Sequence, residues 1–189
     1  MPMPVKIAKT EIPDVLLVET GVVRDDRGFF SETYSSTMFE MAGFRETFLQ
    51  DNLSESKRGT VRGLHYQIEP HAMGKLVRVI RGSIFDVAVD IRRGSSTFGK
   101  WVGRTLSAEN RLSMWIPAGF AHGFIALEDG SLVFYKCSAM HTPEAERAIH
   151  HADPRIGIAW PIPPALIAPK DAAAPPLDQA DFNFEYGAE

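Results

Sequence analysis

Short runs of β-branched and alternating apolar residues, each closed by a glycine, proline or Asp-Gly signal, recur along this chain, and only one clear helical pattern interrupts them. Such runs occupy residues 15–19, 29–34, 60–67, 76–81, 83–92, 101–106, 111–116, 123–127 and 131–138. Strands at this spacing cannot each find a helix to cover them, so they must cover one another, as in an antiparallel sandwich or barrel. The single helix follows residue 34, with Ser35 or Ser36 as its cap, Met38, Phe39 and Met41 as its apolar side and Gly43 as its stop. It spans only about two turns, so it has to lean on a sheet to be stable. Residues 44–52 read as extended again.

Two details of the strand pattern carry expectations. In 83–92, Phe85, Val87, Val89 and Ile91 share one face while Asp86, Ala88 and Asp90 share the other. The two aspartates are expected to face solvent; the alternative is that one of them lines a polar cavity. Glu128-Asp129-Gly130 separates the last two runs and predicts a hairpin, because Asp-Gly supplies the left-handed turn conformation. After Pro143 the character changes. Residues 144–150 read as a short helix or an extended arm, and prolines at 161–164 and 169–176 leave little room for regular structure.

At 189 residues with no low-complexity linker, the chain is expected to be one domain over 1–189, its proline-rich tail from about 161 packing back on the barrel. A net charge of −4 argues against general nucleic-acid affinity, which needs a basic face. The lone Cys137 lies in an apolar run and reads as a buried thiol in a reducing compartment. The N-terminal residues lack the apolar core of a signal peptide, and no stretch approaches the roughly 20 apolar residues of a membrane span. A cytoplasmic protein is expected, with no membrane partner.

Chemically capable side chains are densest between Gln50 and Gln67, where Gln50, Asn52, Arg62 and His65 lie close together. On a regular strand Arg62 and His65 point to opposite faces; a bulge at Gly63 would bring both into one cavity. A cation beside a titratable imidazole suits proton transfer on an anionic substrate, and a core histidine beside a surface arginine is an equal reading of these residues alone. Metal-ligand spacing is not found: His65 and His71 are six apart, no His-x-His pair exists, and the adjacent His150 and His151 diverge in extended structure. No Gly-x-Ser-x-Gly elbow and no glycine-rich phosphate loop occurs. Acid and base chemistry without a metal is what remains.

Several blocks together carry a resemblance. Arg27-Gly28-Phe29-Phe30-Ser31-Glu32, Gln50-Asp51-Asn52, Val61 through Gln67, Gly74 through Arg78, Trp115 through Phe124, Tyr135-Lys136 and Lys170 through Pro175 resemble, in order and spacing, the dTDP-4-dehydrorhamnose 3,5-epimerase family. The resemblance spans residues from about 10 to 180. It implies a mainly β fold, a cupin-type double-stranded β-helix or jelly-roll barrel with a few short helices. It further implies a homodimer, no cofactor and a dTDP sugar with a ketone at C4 as substrate.

Residue by residue, the resemblance makes His65 the base, Asp171 the carboxylate that orients it, Lys75 the cation near the developing enolate and Tyr135 the acid on the opposite face. Arg27, Arg62 and Lys170 resemble the family's substrate-binding cations, Glu32, Gln50, Asn52 and Glu146 its polar contacts, and His122 its second active-site histidine. One departure stands out. Met140-His141 replaces the aromatic pair usual after Tyr-Lys, so His141 falls where the family stacks on thymine. That leaves open a mono-epimerase on a related 4-keto sugar; a non-catalytic sugar-nucleotide-binding cupin is the alternative from another class.

Overall fold

The structure, a computed structural model, describes residues 3–187; residues 1, 2, 188 and 189 of the expected domain lie outside the described residues. The chain opens with β1 (Val5–Lys9), β2 (Leu16–Thr20), the hairpin of β3 (Val23–Asp25) and β4 (Gly28–Phe30), and helix α1 (Ser36–Met41). Then come β5 (Gln50–Ser56), β6 (Thr60–Gln67), β7 (Lys75–Arg81), β8 (Ser83–Asp90) and β9 (Trp101–Ser107). The last strands are β10 (Ser113–Ile116), β11 (Phe120–Ala126), β12 (Ser131–Cys137), β13 (Glu146–Ala148) and β14 (Leu166–Ile167), followed by the one-turn helix α2 (Pro169–Ala172).

One sheet has the order β1-β2-β10-β7-β12-β5 and the other β13-β6-β11-β8-β9, with β14 added parallel to β6. Alternation makes the two sheets face each other. Val77, Val79, Met114, Ile116 and Val133 from the first sheet meet Ile84, Ala88, Val102, Leu106, Phe120 and Phe124 from the second in one buried cluster. On the first sheet's outer side, α1 buries Phe39 against Phe44, Trp115 and Leu76. Ser35 caps that helix by accepting from the Met38 N–H, and Gly43, at φ +90°, ends it. Among the described residues no helix is long and apolar enough to cross a membrane.

Three expectations are corrected. Asp86 and Asp90 do not face solvent; both are fully buried. The physical reason lies at the other end of the chain. Leu177, Phe182 and Phe184 cover the outer face of β8 at Val87, Val89 and Ile91, leaving the aspartate face to form the barrel interior. Asp90 is neutralised there by Arg92 and receives hydrogen bonds from Ser95 and Thr97. Secondly, the Asp129-Gly130 turn forms, with Gly130 at φ +68°, but β11 and β12 do not pair as a hairpin. Both edges of β11 are occupied by β6 and β8, so the turn hands the chain to the opposite sheet. Thirdly, the strand expected over 29–34 stops at Phe30, because its partner β3 begins at Val23. Residues 144–150 combine both expected forms, the end of a 3-10 turn (Pro143–Ala145) followed by the edge strand β13 on β6.

Candidate active site

A cavity of about 680 Å³ opens between the two sheets, walled by β6 and β11 on one side and by β5, β7 and β12 on the other. The β6 wall owes its chemistry to an irregularity. Opposite His122 stands His65, but opposite Phe124 stands Arg62, so β6 holds one residue more than β11 across this interval. Gly63 sits in that bulge at φ +120°, where its missing side chain is also required: a Cβ would lie 2.5 Å from the Gly123 Cα. Arg62 and His65 consequently share the cavity face.

His65 is backed by a carboxylate from the C-terminal segment. Its Nε2 lies 2.7 Å from Asp171 Oδ1, and the Gly63 N–H donates to Asp171 Oδ2 at 3.3 Å. Asp171 is buried. Burial alone would raise its pKa, but the hydrogen bond and charge of His65, with the Gly63 N–H, hold it below the usual carboxylate range. Since a carboxylate accepts, His65 carries its proton on Nε2 and turns the Nδ1 lone pair elsewhere.

Tyr135 faces this imidazole's wall from β12, on the opposite sheet. Its phenol is pushed up mainly by burial, with Arg62 and Asn52 opposing the rise. Lys75, on β7, is pushed down by burial, against which Cys137, Asp86 and Glu146 act. His122 lies beside His65 on the neighbouring strand, buried, with Nε2 2.7 Å from Asp86 Oδ1. Two imidazoles, each hydrogen-bonded to a carboxylate, thus converge with an amine and a phenol on one space.

The rim is a chain of hydrogen bonds. Gln50 donates to Asn52 at 3.0 Å and accepts the His141 N–H at 2.9 Å; the His141 ring donates to Glu146 at 2.8 Å, whose other oxygen takes Lys170 at 2.7 Å. Burial acting alone would raise Glu146, but the hydrogen bonds from Lys170 and His141, with the Lys170 charge, bring it down to about 2. Arg62 is held by Ser56 Oγ and the Glu55 carbonyl. Eleven of the thirteen expected site residues therefore line one cavity, and Arg27 and Glu32 do not. Arg27 sits exposed on the β3–β4 hairpin, paired with Asp25. Among the described residues no cluster of three His, Cys, Asp or Glu side chains is arranged to hold a metal ion.

The family model for dTDP-4-dehydrorhamnose 3,5-epimerase matches residues 9–179 of this sequence. The chain belongs to that epimerase family. It is 52% identical over 178 residues to dTDP-4-dehydrorhamnose 3,5-epimerase of Pseudomonas aeruginosa, spanning 93% of this chain and 98% of that one. Among solved structures it resembles the Legionella pneumophila dTDP-6-deoxy-D-glucose-3,5-epimerase in complex with dTDP-4-keto-L-rhamnose, with a TM-score of 0.92 and 45% identity over 97% of this chain and 100% of that one. A more distant likeness is ChmJ, a 3′-monoepimerase from Streptomyces bikiniensis, at TM-score 0.84 and 34% identity over 90% and 87% of the two chains. The barrel is of the cupin type that these epimerases share.

For a member of the epimerase family, one residue beside the cavity was weighed in the sequence only as the alternative to a solvent-facing aspartate: Asp86, the buried partner of His122. The available signal was its place on the Ala88 face, which becomes informative only once that face is known to be internal.

Proposed function

We propose that this protein inverts C3 and C5 of dTDP-4-dehydro-6-deoxy-D-glucose, giving dTDP-4-dehydro-L-rhamnose for dTDP-L-rhamnose biosynthesis. The observation that carries this is a histidine–carboxylate pair on one wall of the cavity and a tyrosine on the facing wall. Hydrogens on C3 and C5 are acidic because the C4 ketone accepts the charge as an enolate. His65 takes the proton through Nδ1 while Asp171 stabilises the resulting imidazolium. Lys75 holds the enolate oxygen, His122 offers its Nδ1 acceptor to the sugar, and Tyr135 returns a proton to the opposite face of the same carbon. Solvent restores both groups, so each inversion is a net isomerisation. Arg62 and Lys170 meet the diphosphate, with Gln50, Asn52, His141 and Glu146 around the nucleotide and sugar. Base, acid and oxyanion stabiliser are all protein groups, and we propose that no metal or organic cofactor takes part; turnover is expected to survive exhaustive chelation.

We also propose a single domain over the chain, a cytoplasmic location and a homodimer. The first is supported by Phe182 and Phe184, which pack into the cluster on the β8 sheet. The second is supported by a nucleotide-sugar substrate and the unpaired, buried thiol of Cys137. The dimer is supported by apolar side chains left in the open: Val23, Phe29 and Phe30 on the β3–β4 hairpin, and Leu53 and Ile80 on the first sheet. A second copy covering them would explain why Arg27 and Glu32 stand outside their own cavity, since a partner's hairpin could supply them.

Incubation with dTDP-4-dehydro-6-deoxy-D-glucose in deuterated water tests the activity. Label at both C3 and C5, abolished in His65→Asn, is the expected result; label at one carbon would make it a mono-epimerase, and none would leave a binding protein.

A further inference from the structure

Asp86 is a buried charged group to which the proposed chemistry assigns no task. It is fully buried on β8; its Oδ1 accepts from His122 Nε2 at 2.7 Å, and its Oδ2 has no hydrogen-bond partner among the described residues. A carboxylate oxygen left bare in a barrel interior is destabilising, so it persists where its charge serves something nearby. The neighbouring groups are functional. His122 pairs across the strands with His65, and Lys75 reaches the same cavity from the facing sheet.

We propose that Asp86 is a positioning residue, which fixes His122 with its proton on Nε2 and its Nδ1 edge toward the cavity, and which places a carboxylate behind the wall that faces Lys75. This deepens the epimerase reading and rests on it. The charged and titratable surroundings set the sign. Burial pushes Lys75 down most strongly; Cys137 on β12, Asp86 on β8 and Glu146 on β13 act against that, and Lys170 on α2 adds to it. For His122, burial again lowers the pKa most; Asp86 opposes, while Lys75 and His65 reinforce the lowering. Removing the Asp86 charge therefore makes Lys75 lose its proton at a lower pH, and the alkaline limb of the rate profile moves the same way.

Wild type, Asp86→Asn and Asp86→Glu are compared by kcat and KM across pH, by dTDP binding as a check on folding, and by imidazole nitrogen-15 shifts of His122. Asp86→Asn is expected to lower kcat about 100-fold with KM changed far less, the scale of a displaced acid–base group. Its alkaline limb moves to lower pH and His122 loses its uniform Nε2–H form. Asp86→Glu keeps the charge, so its alkaline limb stays in place while kcat falls through misplacement. An Asp86→Asn enzyme with near-normal kcat or an unmoved alkaline limb overturns the assignment. If that variant cannot bind dTDP, Asp86→Glu decides: wild-type kcat refutes the positioning role. A wild type that exchanges no label refutes the epimerase reading instead. The His122 nitrogen shifts still judge Asp86 in that event, a mixed tautomer in the unaltered protein counting against it.

Discussion

His65 and Asp171 stand 106 residues apart in the chain and 2.7 Å apart in the cavity wall. The contact forms because β14 joins β6 in parallel and α2 follows at once, bringing its acidic residue under the Gly63 bulge. Asp171→Asn keeps the shape but removes the charge that favours the imidazolium. We expect C3 and C5 exchange to slow by about 10²–10⁴-fold, the usual worth of acid–base catalysis, with dTDP affinity little changed. Deuterium uptake by NMR measures it, and an undiminished rate would dissociate Asp171 from the base.

Tyr135→Phe should separate two steps. His65 can still remove a proton, but nothing on the facing wall returns one to the other side. Exchange with retained configuration is expected to outlast net inversion; equal loss of both would count against Tyr135 as the acid.

Glu146 gives a pH prediction. Its pKa is lowered from 4.5 to about 2 in the folded protein, so its stabilising contribution is whole above the ordinary carboxylate range and disappears as pH falls toward 2. Urea unfolding of wild type and Glu146→Gln should therefore differ near neutrality and converge across that window. A gap that stays constant would show that the Lys170 and His141 contacts do not stabilise the fold.

His141 occupies the rim with its ring tied to Glu146. If it also stacks on the base, a tyrosine should stack better, since base–aromatic stacking is worth roughly 1–3 kcal/mol. His141→Tyr is expected to tighten dTDP binding roughly three- to ten-fold, a fraction of that range. Calorimetry with dTDP and with pyrophosphate decides it, because an equal gain for pyrophosphate would place the effect elsewhere.

The dimer can be tested by complementation. Arg27→Ala and His65→Asn each inactivate, but in a mixed dimer one cavity has its own His65 and the partner's intact hairpin. Statistical mixing should restore about a quarter of wild-type activity, half the dimers being hybrid with one sound site each. No recovery after denaturation and co-refolding would place Arg27 in its own protomer's function.

Much of this architecture was legible in the residue order. The run ending at Gln67 was read with its limits, as was the Ser35-capped helix, because period-two patterning, a cap and a glycine stop act within a few residues of one another. The bulge that aligns Arg62 with His65 was readable too, since Gly63 broke an otherwise regular strand. The cavity list came from the family resemblance, which encodes tertiary contacts that spacing does not.

What the sequence alone determined is therefore local: strand identity, the helix and its stop, a buried lone thiol, and a density of proton-transfer groups around His65. The tertiary structure decided the rest. Whether β11 and β12 pair depended on β6 and β8 having already taken both edges of β11, and whether Asp86 meets water or His122 depended on Phe182 and Phe184 covering the other face of the sheet. Pairing and burial are exclusive and long-range. A strand has two edges and a sheet two faces, and which segment claims each is settled by competition among residues a hundred positions away, where no local pattern reaches.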